Sequence, residues 1–249
     1  MKKVFGLLGF PLSHSFSQAY FSKKFADLEL PDYRYDLFSY QTIDEFYTDI
    51  LLKKESETEI LLGFNVTIPY KIAIIDHLDD LDDTAKAVGA VNTVLKKDGK
   101  LIGFNTDISL PLPSIKTTAL HALLLGTGGA SRAVAYALKK KNIPFQQISR
   151  QADKSRNILS YDDLKGLDLI DFQLIINATP VGMYPNIAAK PDLNYTELTE
   201  NHFLYDLVYN PTETAFLREG IDRNCMTQNG LAMLYAQAEA AWEIWNRVG

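Results

Sequence analysis

Two groups of residues in this chain have types and spacings suited to chemistry. The first lies in Gly63-Phe64-Asn65-Val66-Thr67-Ile68-Pro69-Tyr70-Lys71. Asn65, Thr67 and Lys71 bring an amide, a hydroxyl and an ammonium to one strand exit, a set that would bind a polyhydroxylated small molecule. The same residues could also be a solvated lysine beside a polar turn. Pro69 suits the first turn of a helix, which predicts Lys71 at the N-terminal end of that helix, where a cation opposes the macrodipole. The second group is Gly126-Thr127-Gly128-Gly129-Ala130-Ser131-Arg132-Ala133. Glycines permit a tight turn and close approach of a ligand, and the free N–H groups of a following helix suit an anion.

Further polar residues accompany these groups. Ser15 and Ser17 stand at a predicted helix start just past a strand, where they could cap the helix or hold a carboxylate. Asn92-Thr93 and Asn105-Thr106-Asp107 flank the turn Lys97-Asp98-Gly99-Lys100, so they read as a hairpin or adjacent strands. Asn177-Ala178-Thr179-Pro180 is another polar strand exit. Gln237 is a polar residue on a last helix whose Leu231, Leu234, Ala238, Ala241, Trp242 and Trp245 fall on one face.

The elements needed to position them can be read from periodicity. Apolar Ala119 to Leu125 predicts a buried strand, Ala130 to Lys141 a helix and Pro144 to Ile148 a second strand. This strand, turn, helix and strand order is that of a dinucleotide fold. Ser149-Arg150 then falls where such a fold reads the adenosine ribose. An arginine there pairs with a 2′-phosphate, which points to NADP rather than NAD. Gly129-Ala130-Ser131-Arg132-Ala133 is also one residue away from a hydrolase nucleophile elbow, with His202 the one histidine downstream of Ser131. Earlier in the chain, strands are expected over Val4 to Gly9, Tyr33 to Phe38 and Glu59 to Val66. Helices are expected up to Leu28 and over Ile43 to Lys53, and Asp79 to Asp83 as a helix start. Ser109 to Thr118, with Pro111 and Pro113, admits a short helix that bridges two domains. Later strands are expected over Phe172 to Ile176 and Phe203 to Val208, with a helix from Thr212 to Glu219.

The 249 residues suffice for one large or two modest domains. With 47% hydrophobic and 22% charged residues and a net charge of -6, the composition carries no sign of a nucleic-acid surface, and no apolar run approaches membrane-spanning length. Cys225 is the single cysteine, which excludes an internal disulfide or a thiolate zinc cluster and fits a reducing, cytoplasmic location. No metal site is expected.

Taken together, these motifs resemble the shikimate dehydrogenase family over nearly the whole chain. The likeness rests on the Ser15-Phe16-Ser17 region, Asn65 to Lys71, Gly89-Ala90-Val91-Asn92-Thr93, Asn105-Thr106-Asp107, the glycine turn, Asn177 to Pro180, and Gly230-Leu231-Ala232-Met233 with Gln237. It implies NADPH-dependent reduction of 3-dehydroshikimate to shikimate in aromatic amino-acid biosynthesis. It also implies that Ser15, Ser17 and Tyr209 hold the substrate carboxylate, that Thr67, Asn92, Asp107 and Gln237 bind its hydroxyls, and that Lys71 is the catalytic acid/base beside Asp107. Gly126, Thr127, Gly128, Gly129 and Ala130 would take the pyrophosphate; Ser149, Arg150 and Lys154 the 2′-phosphate; Leu207 and Gly230 the nicotinamide end. Asp83 aligns with an acidic position sometimes assigned to cofactor contact. Four positions depart from the family pattern: Gln18, Ile108-Ser109, Ser149-Arg150-Gln151 and Asn229. Alternatives are a quinate/shikimate dehydrogenase using NAD, a serine hydrolase using Ser131, and a non-catalytic NADP-binding protein. The expected architecture is α/β in two domains: a substrate domain over 1–104 with the terminal helix 230–249, and a Rossmann-like NADP domain over 105–229, with a cleft between them. The partner would be a small molecule, and the assembly a monomer or homodimer.

Overall fold

The computed structural model describes residues 1–12, 15–52, 58–112 and 120–246. The expected bridging helix over 109–118 lies largely outside the described residues, as does the end of the helix expected to reach Lys53. The chain divides into two compact units, Met1–Thr106 with Gln237–Gly249, and Asp107–Ala236. The sequence-based boundaries lay at 104/105 and 229/230.

The first unit is built on a mixed sheet. Its elements are β1 (Lys2–Gly9), α1 (Phe16–Asp27), β2 (Tyr33–Ser39), α2 (Ile43–Phe46), β3 (Glu59–Leu61), β4 (Gly63–Val66), β5 (Asp80–Leu81), α3 (Asp83–Val88), β6 (Thr93–Lys97) and β7 (Lys100–Phe104). Strand order is β2-β1-β4-β6-β7-β5, with β3 also on β1. The β1 strand is buried from Val4 to Gly9 and pairs parallel with β2, β3 and β4, the central position that its unbroken apolar run requires. The β6–β7 pair is an antiparallel hairpin whose Asp98 and Gly99 both take positive φ, as an Asp-Gly turn of this kind demands. Phe21 and Phe25 of α1 pack with Phe5, Tyr35, Ala238, Ala241 and Trp245 into one aromatic core.

Three sequence expectations are corrected in this unit. Glu59 to Val66 is two strands rather than one; Leu62 between them donates to Val4 O at 3.0 Å and accepts from Lys96 N at 2.8 Å. No α-helix starts at Pro69: Tyr70 N closes a turn onto Thr67 O at 2.9 Å, and the next element is a short 3-10 stretch, Ala73–His77. The helix expected to start over Asp79 to Asp83 begins only at Asp83, since Asp80 and Leu81 pair with β7 as β5; it ends on the left-handed Gly89. The helix beginning at Ile43 passes into a π-helical turn over Tyr47–Leu51.

The second unit is a parallel sheet. Its elements are β8 (Ala122–Leu125), α4 (Gly129–Lys140), β9 (Phe145–Ser149), β10 (Ile158–Ser160), α5 (Tyr161–Leu164), β11 (Leu174–Asn177), β12 (Phe203–Asp206), α6 (Ala215–Ile221), β13 (Met226–Gln228) and the start of α7 (Leu231–Asn246). The order β10-β9-β8-β11-β12-β13 runs outward in both directions from β8, the doubly wound dinucleotide-binding arrangement. Its switch point lies at the carboxyl ends of β8 and β11, where ligands bind such sheets. The middle strands are fully buried from Ala122 to Leu125 and from Leu174 to Asn177, as helices on both faces require. Along α7 the buried positions are Met233, Gln237, Ala238, Ala241, Ile244 and Trp245, while Leu231, expected on the buried face, is exposed. Among the described residues no helix is long and apolar enough to cross a membrane.

Candidate active site

In the first unit the strand exits carry a buried polar network. Tyr35 stacks on Phe21 and donates its hydroxyl to Asn65 Oδ1 at 2.8 Å. Burial pushes the Tyr35 phenol well above its ordinary range, so it remains a neutral donor. The Asn65 amide donates in turn to Asn92 O at 3.2 Å and Thr93 Oγ1 at 3.1 Å. Asn92 then ties the two Asn-Thr pairs together: its Nδ2 donates to Thr106 Oγ1 at 2.8 Å and its Oδ1 accepts from Thr106 N at 2.7 Å. All of these amides and hydroxyls are buried, so the network must be satisfied internally.

Backbone bonds hold some of the expected substrate residues near this network. Val66 N bonds to Asn92 O at 2.8 Å, Thr67 N to Leu8 O at 2.8 Å, and the Lys71 carbonyl accepts from Val91 N at 2.7 Å. Thr67, Lys71 and Asn92 are thereby pinned to one end of the sheet, with Thr67 and Lys71 half-buried. Ser15 caps α1, accepting from Gln18 N at 3.4 Å, and Ser17, the second residue of that helix, is buried. Gln237 is buried on α7. Asp83 is exposed at the first position of α3, which Asp82 caps through Ala85 N at 2.7 Å. Asp107 opens the second unit and is buried; it follows directly on Thr106.

In the second unit, β8 leads into the glycine turn. Gly126 has φ 110°, a conformation that favours glycine, and a Cβ there would lie 3.0 Å from Thr179 Cγ2. Gly128 is the N-cap of α4, makes no side-chain cap hydrogen bond, and faces open space where a Cβ would be. The first N–H groups of a twelve-residue helix are thus left for an outside acceptor, so the residues present fit a pyrophosphate. Ser149 ends β9, and Arg150 is exposed just beyond it. Lys154 begins a 3-10 turn capped by Asp153, whose Oδ1 accepts from Ser155 N at 3.1 Å. Leu207 and Gly230 are brought into direct backbone contact: a Cβ on Gly230 would stand 2.1 Å from Leu207 O. Tyr209, by contrast, is exposed.

A second buried cluster lies at the switch-point end, and sequence reasoning missed it. Asp206 accepts from Asn177 Nδ2 at 2.9 Å, Val208 N at 3.0 Å and Thr214 Oγ1 at 2.6 Å. It joins the exits of β11 and β12 to the cap of α6. Burial pushes this carboxyl up to about 6, with the three donors partly offsetting the shift. An aspartate closing an apolar strand, with a threonine at the next helix cap, was the available signal. Asn229 is also explained: its amide donates to Thr212 O at 2.9 Å and accepts from Leu231 N at 3.1 Å, whereas an aspartate could only accept.

The hydrolase reading fails on geometry. Ser131 is fully buried and donates to Gly126 O at 2.6 Å, facing away from solvent. His202 is also buried at the opposite, amino end of the parallel strands, with Thr199 N donating to its Nδ1 at 2.9 Å and its Nε2 3.1 Å from Leu169 O. A four-residue strand separates those ends by roughly 13 Å.

Comparison with known proteins agrees with this layout. A family profile described as the shikimate dehydrogenase substrate binding domain matches residues 7–94. Shikimate dehydrogenase (NADP(+)) of Methanococcus maripaludis is 36% identical over 261 residues, covering 98% of this chain and 91% of that one. The crystal structure of shikimate dehydrogenase 1 from Peptoclostridium difficile is similar with a TM-score of 0.85 at 34% identity, over 100% of this chain and 93% of that one. Shikimate 5-dehydrogenase from Thermus thermophilus, in complex with NADP(H) and shikimate, has a TM-score of 0.80 at 30% identity, over 98% and 93% of the two chains. Relatives this similar over nine-tenths of their own length establish the conclusion: the chain belongs to the shikimate dehydrogenase family.

Proposed function

We propose that this chain catalyses the reversible, NADPH-dependent reduction of 3-dehydroshikimate to shikimate in aromatic amino-acid biosynthesis, working in the cytoplasm. The observation that carries the reading is the uncapped glycine turn at the end of β8 with Arg150 just past β9, in a chain that also presents Lys71 beside a buried amide and hydroxyl network. NADPH, when bound, supplies the hydride that adds to the substrate's carbonyl carbon.

The chain's own residues do the rest. Residues Gly126 to Ala130 hold the pyrophosphate through backbone N–H groups, and Ser149, Arg150 and Lys154 hold the 2′-phosphate, Arg150 through its planar fork. Leu207 and Gly230 border the nicotinamide end, and Asp83 is a further cofactor contact. Ser15, Ser17 and Tyr209 bind the substrate carboxylate, while Thr67, Asn92, Asp107 and Gln237 bind its hydroxyls. Lys71 gives its ammonium proton to the oxygen that gains charge during reduction and takes a proton from the hydroxyl in the reverse direction. Asp107 is the second catalytic residue, its carboxylate accepting from a substrate hydroxyl.

Absorbance at 340 nm tests this, with shikimate and quinate each supplied with NADP and with NAD. Shikimate with NADP should give the highest kcat/KM of the four. A preference for quinate or for NAD would overturn the corresponding part of the proposal.

A further inference from the structure

The glycine turn is held from beneath by two side chains that no pyrophosphate contact requires. Gly126 O accepts from Ser131 Oγ at 2.6 Å and from Gln147 Nε2 at 2.8 Å, and Gln147 Nε2 lies 3.1 Å from Ser131 Oγ. The same glycine's N–H bonds to Ile148 O at 2.8 Å, so both polar groups of Gly126 are tied to β9 or to the first turn of α4. Gln147 sits inside a strand that pairs with the fully buried β8, opposite Leu124. An amide beside an apolar strand carries a desolvation cost unless its hydrogen bonds are made, and here they are made to the turn.

We propose that Gln147, acting with Ser131, is a positioning residue for NADP(H), clamping the peptide that follows Gly126 so that the turn is set for a pyrophosphate. The proposal rests on the cofactor reading above. The carbonyl of Gly126 and the N–H of Thr127 belong to one planar peptide and point in opposite directions. Holding the carbonyl inward directs the Thr127 N–H outward. Flipping that peptide turns ψ of Gly126 and φ of Thr127; Gly126 has no Cβ to resist the first rotation, and Gly128 brings no side-chain cap to hold the turn. A flipped peptide would place a partial negative charge where the phosphates lie. Residues 147 and 149 also share one face of β9, so the clamp lies on the same face as Ser149 at the ribose end.

The test is the dissociation constant of NADP, measured by calorimetry on wild type, Gln147→Leu and Gln147→Glu, with 2′-AMP as a second probe. That nucleotide carries the 2′-phosphate but no pyrophosphate. Gln147→Leu should weaken NADP roughly fivefold to thirtyfold, the range expected for one or two lost buried hydrogen bonds, and leave 2′-AMP unchanged. Gln147→Glu, which keeps the length but brings a carboxylate toward Gly126 O, should weaken NADP further. Should Gln147→Leu fail to fold, Ser131→Ala carries the same expectation. Unchanged NADP binding in the variants, or equal weakening of both ligands, would overturn the clamp while leaving the cofactor reading intact. Wild type that failed to bind NADP would overturn both.

Discussion

Replacing Asp206 by asparagine should change how stability depends on pH. The carboxyl is fully buried and titrates in the folded protein at about 6, against an ordinary 3.8. That difference corresponds to about 3 kcal/mol between the two protonation states. Because the folded value is the higher one, the folded state keeps a proton between about pH 4 and pH 6 that the unfolded chain has lost. The stability contributed by this group is therefore complete below about pH 4 and is lost as pH rises through 6. Other carboxyls of the second unit act in the opposite sense. Hydrogen bonds from Ser155 and Ser160 hold Asp153 and Asp163 low, and Lys190 holds Glu219 low, so their contributions are lost on acidification. Those contributions are common to wild type and Asp206→Asn, and they cancel in the difference between the two.

An amide at position 206 can still accept from Asn177 and Val208 through one oxygen, with its NH2 meeting the Thr214 hydroxyl, which can rotate to accept. Such rearrangement adds a constant offset that does not vary with pH. The stability of Asp206→Asn relative to wild type should thus rise by about 3 kcal/mol between pH 4 and pH 8. Urea unfolding at half-unit pH intervals measures this. Far-UV circular dichroism is the probe to use, because Trp242 and Trp245 both belong to the first unit and their fluorescence reports on that unit alone. A stability difference that stayed constant across that interval would refute the reasoning.

Arg150→Ala should raise the Michaelis constant for NADPH by much more than that for NADH, because only the former carries the 2′-phosphate; equal changes would count against Arg150 as the phosphate partner. Gly230→Ala forces a methyl to within 2.1 Å of a backbone oxygen, so Leu207 must shift. Overpacking of this kind costs about 1–3 kcal/mol, seen as a lower melting temperature, and a variant that melts with wild type would show that the contact is loose.

How much was legible in the sequence depended on how local the cause was. The glycine turn, α4 and β9 follow from short-range patterning, and the structure places them within a residue or so of expectation. The Asp98-Gly99 turn specifies its hairpin through local backbone chemistry. What was missed depends on distant partners. β10 and β13 are three residues long and are strands only because β9 and β12 pair with them. Lys71 precedes a 3-10 stretch because the turn at Thr67 to Tyr70 forestalls an α-helix. Of the site, Asn65, Asn92 and Thr106 were visible as polar strand exits, but their mutual bonds span up to 27 residues. The Asp206 cluster and the Gln147 clamp join segments that only the sheet brings together.

The assignment of Lys71 as the proton donor to the reduced oxygen is tested most directly by Lys71→Ala, assayed for 3-dehydroshikimate reduction at saturating NADPH alongside NADP binding. General acid/base help of this kind is worth on the order of a hundredfold to ten-thousandfold, so turnover should fall by about that factor while the NADP dissociation constant stays at the wild-type value. Turnover close to that of wild type would contradict the account.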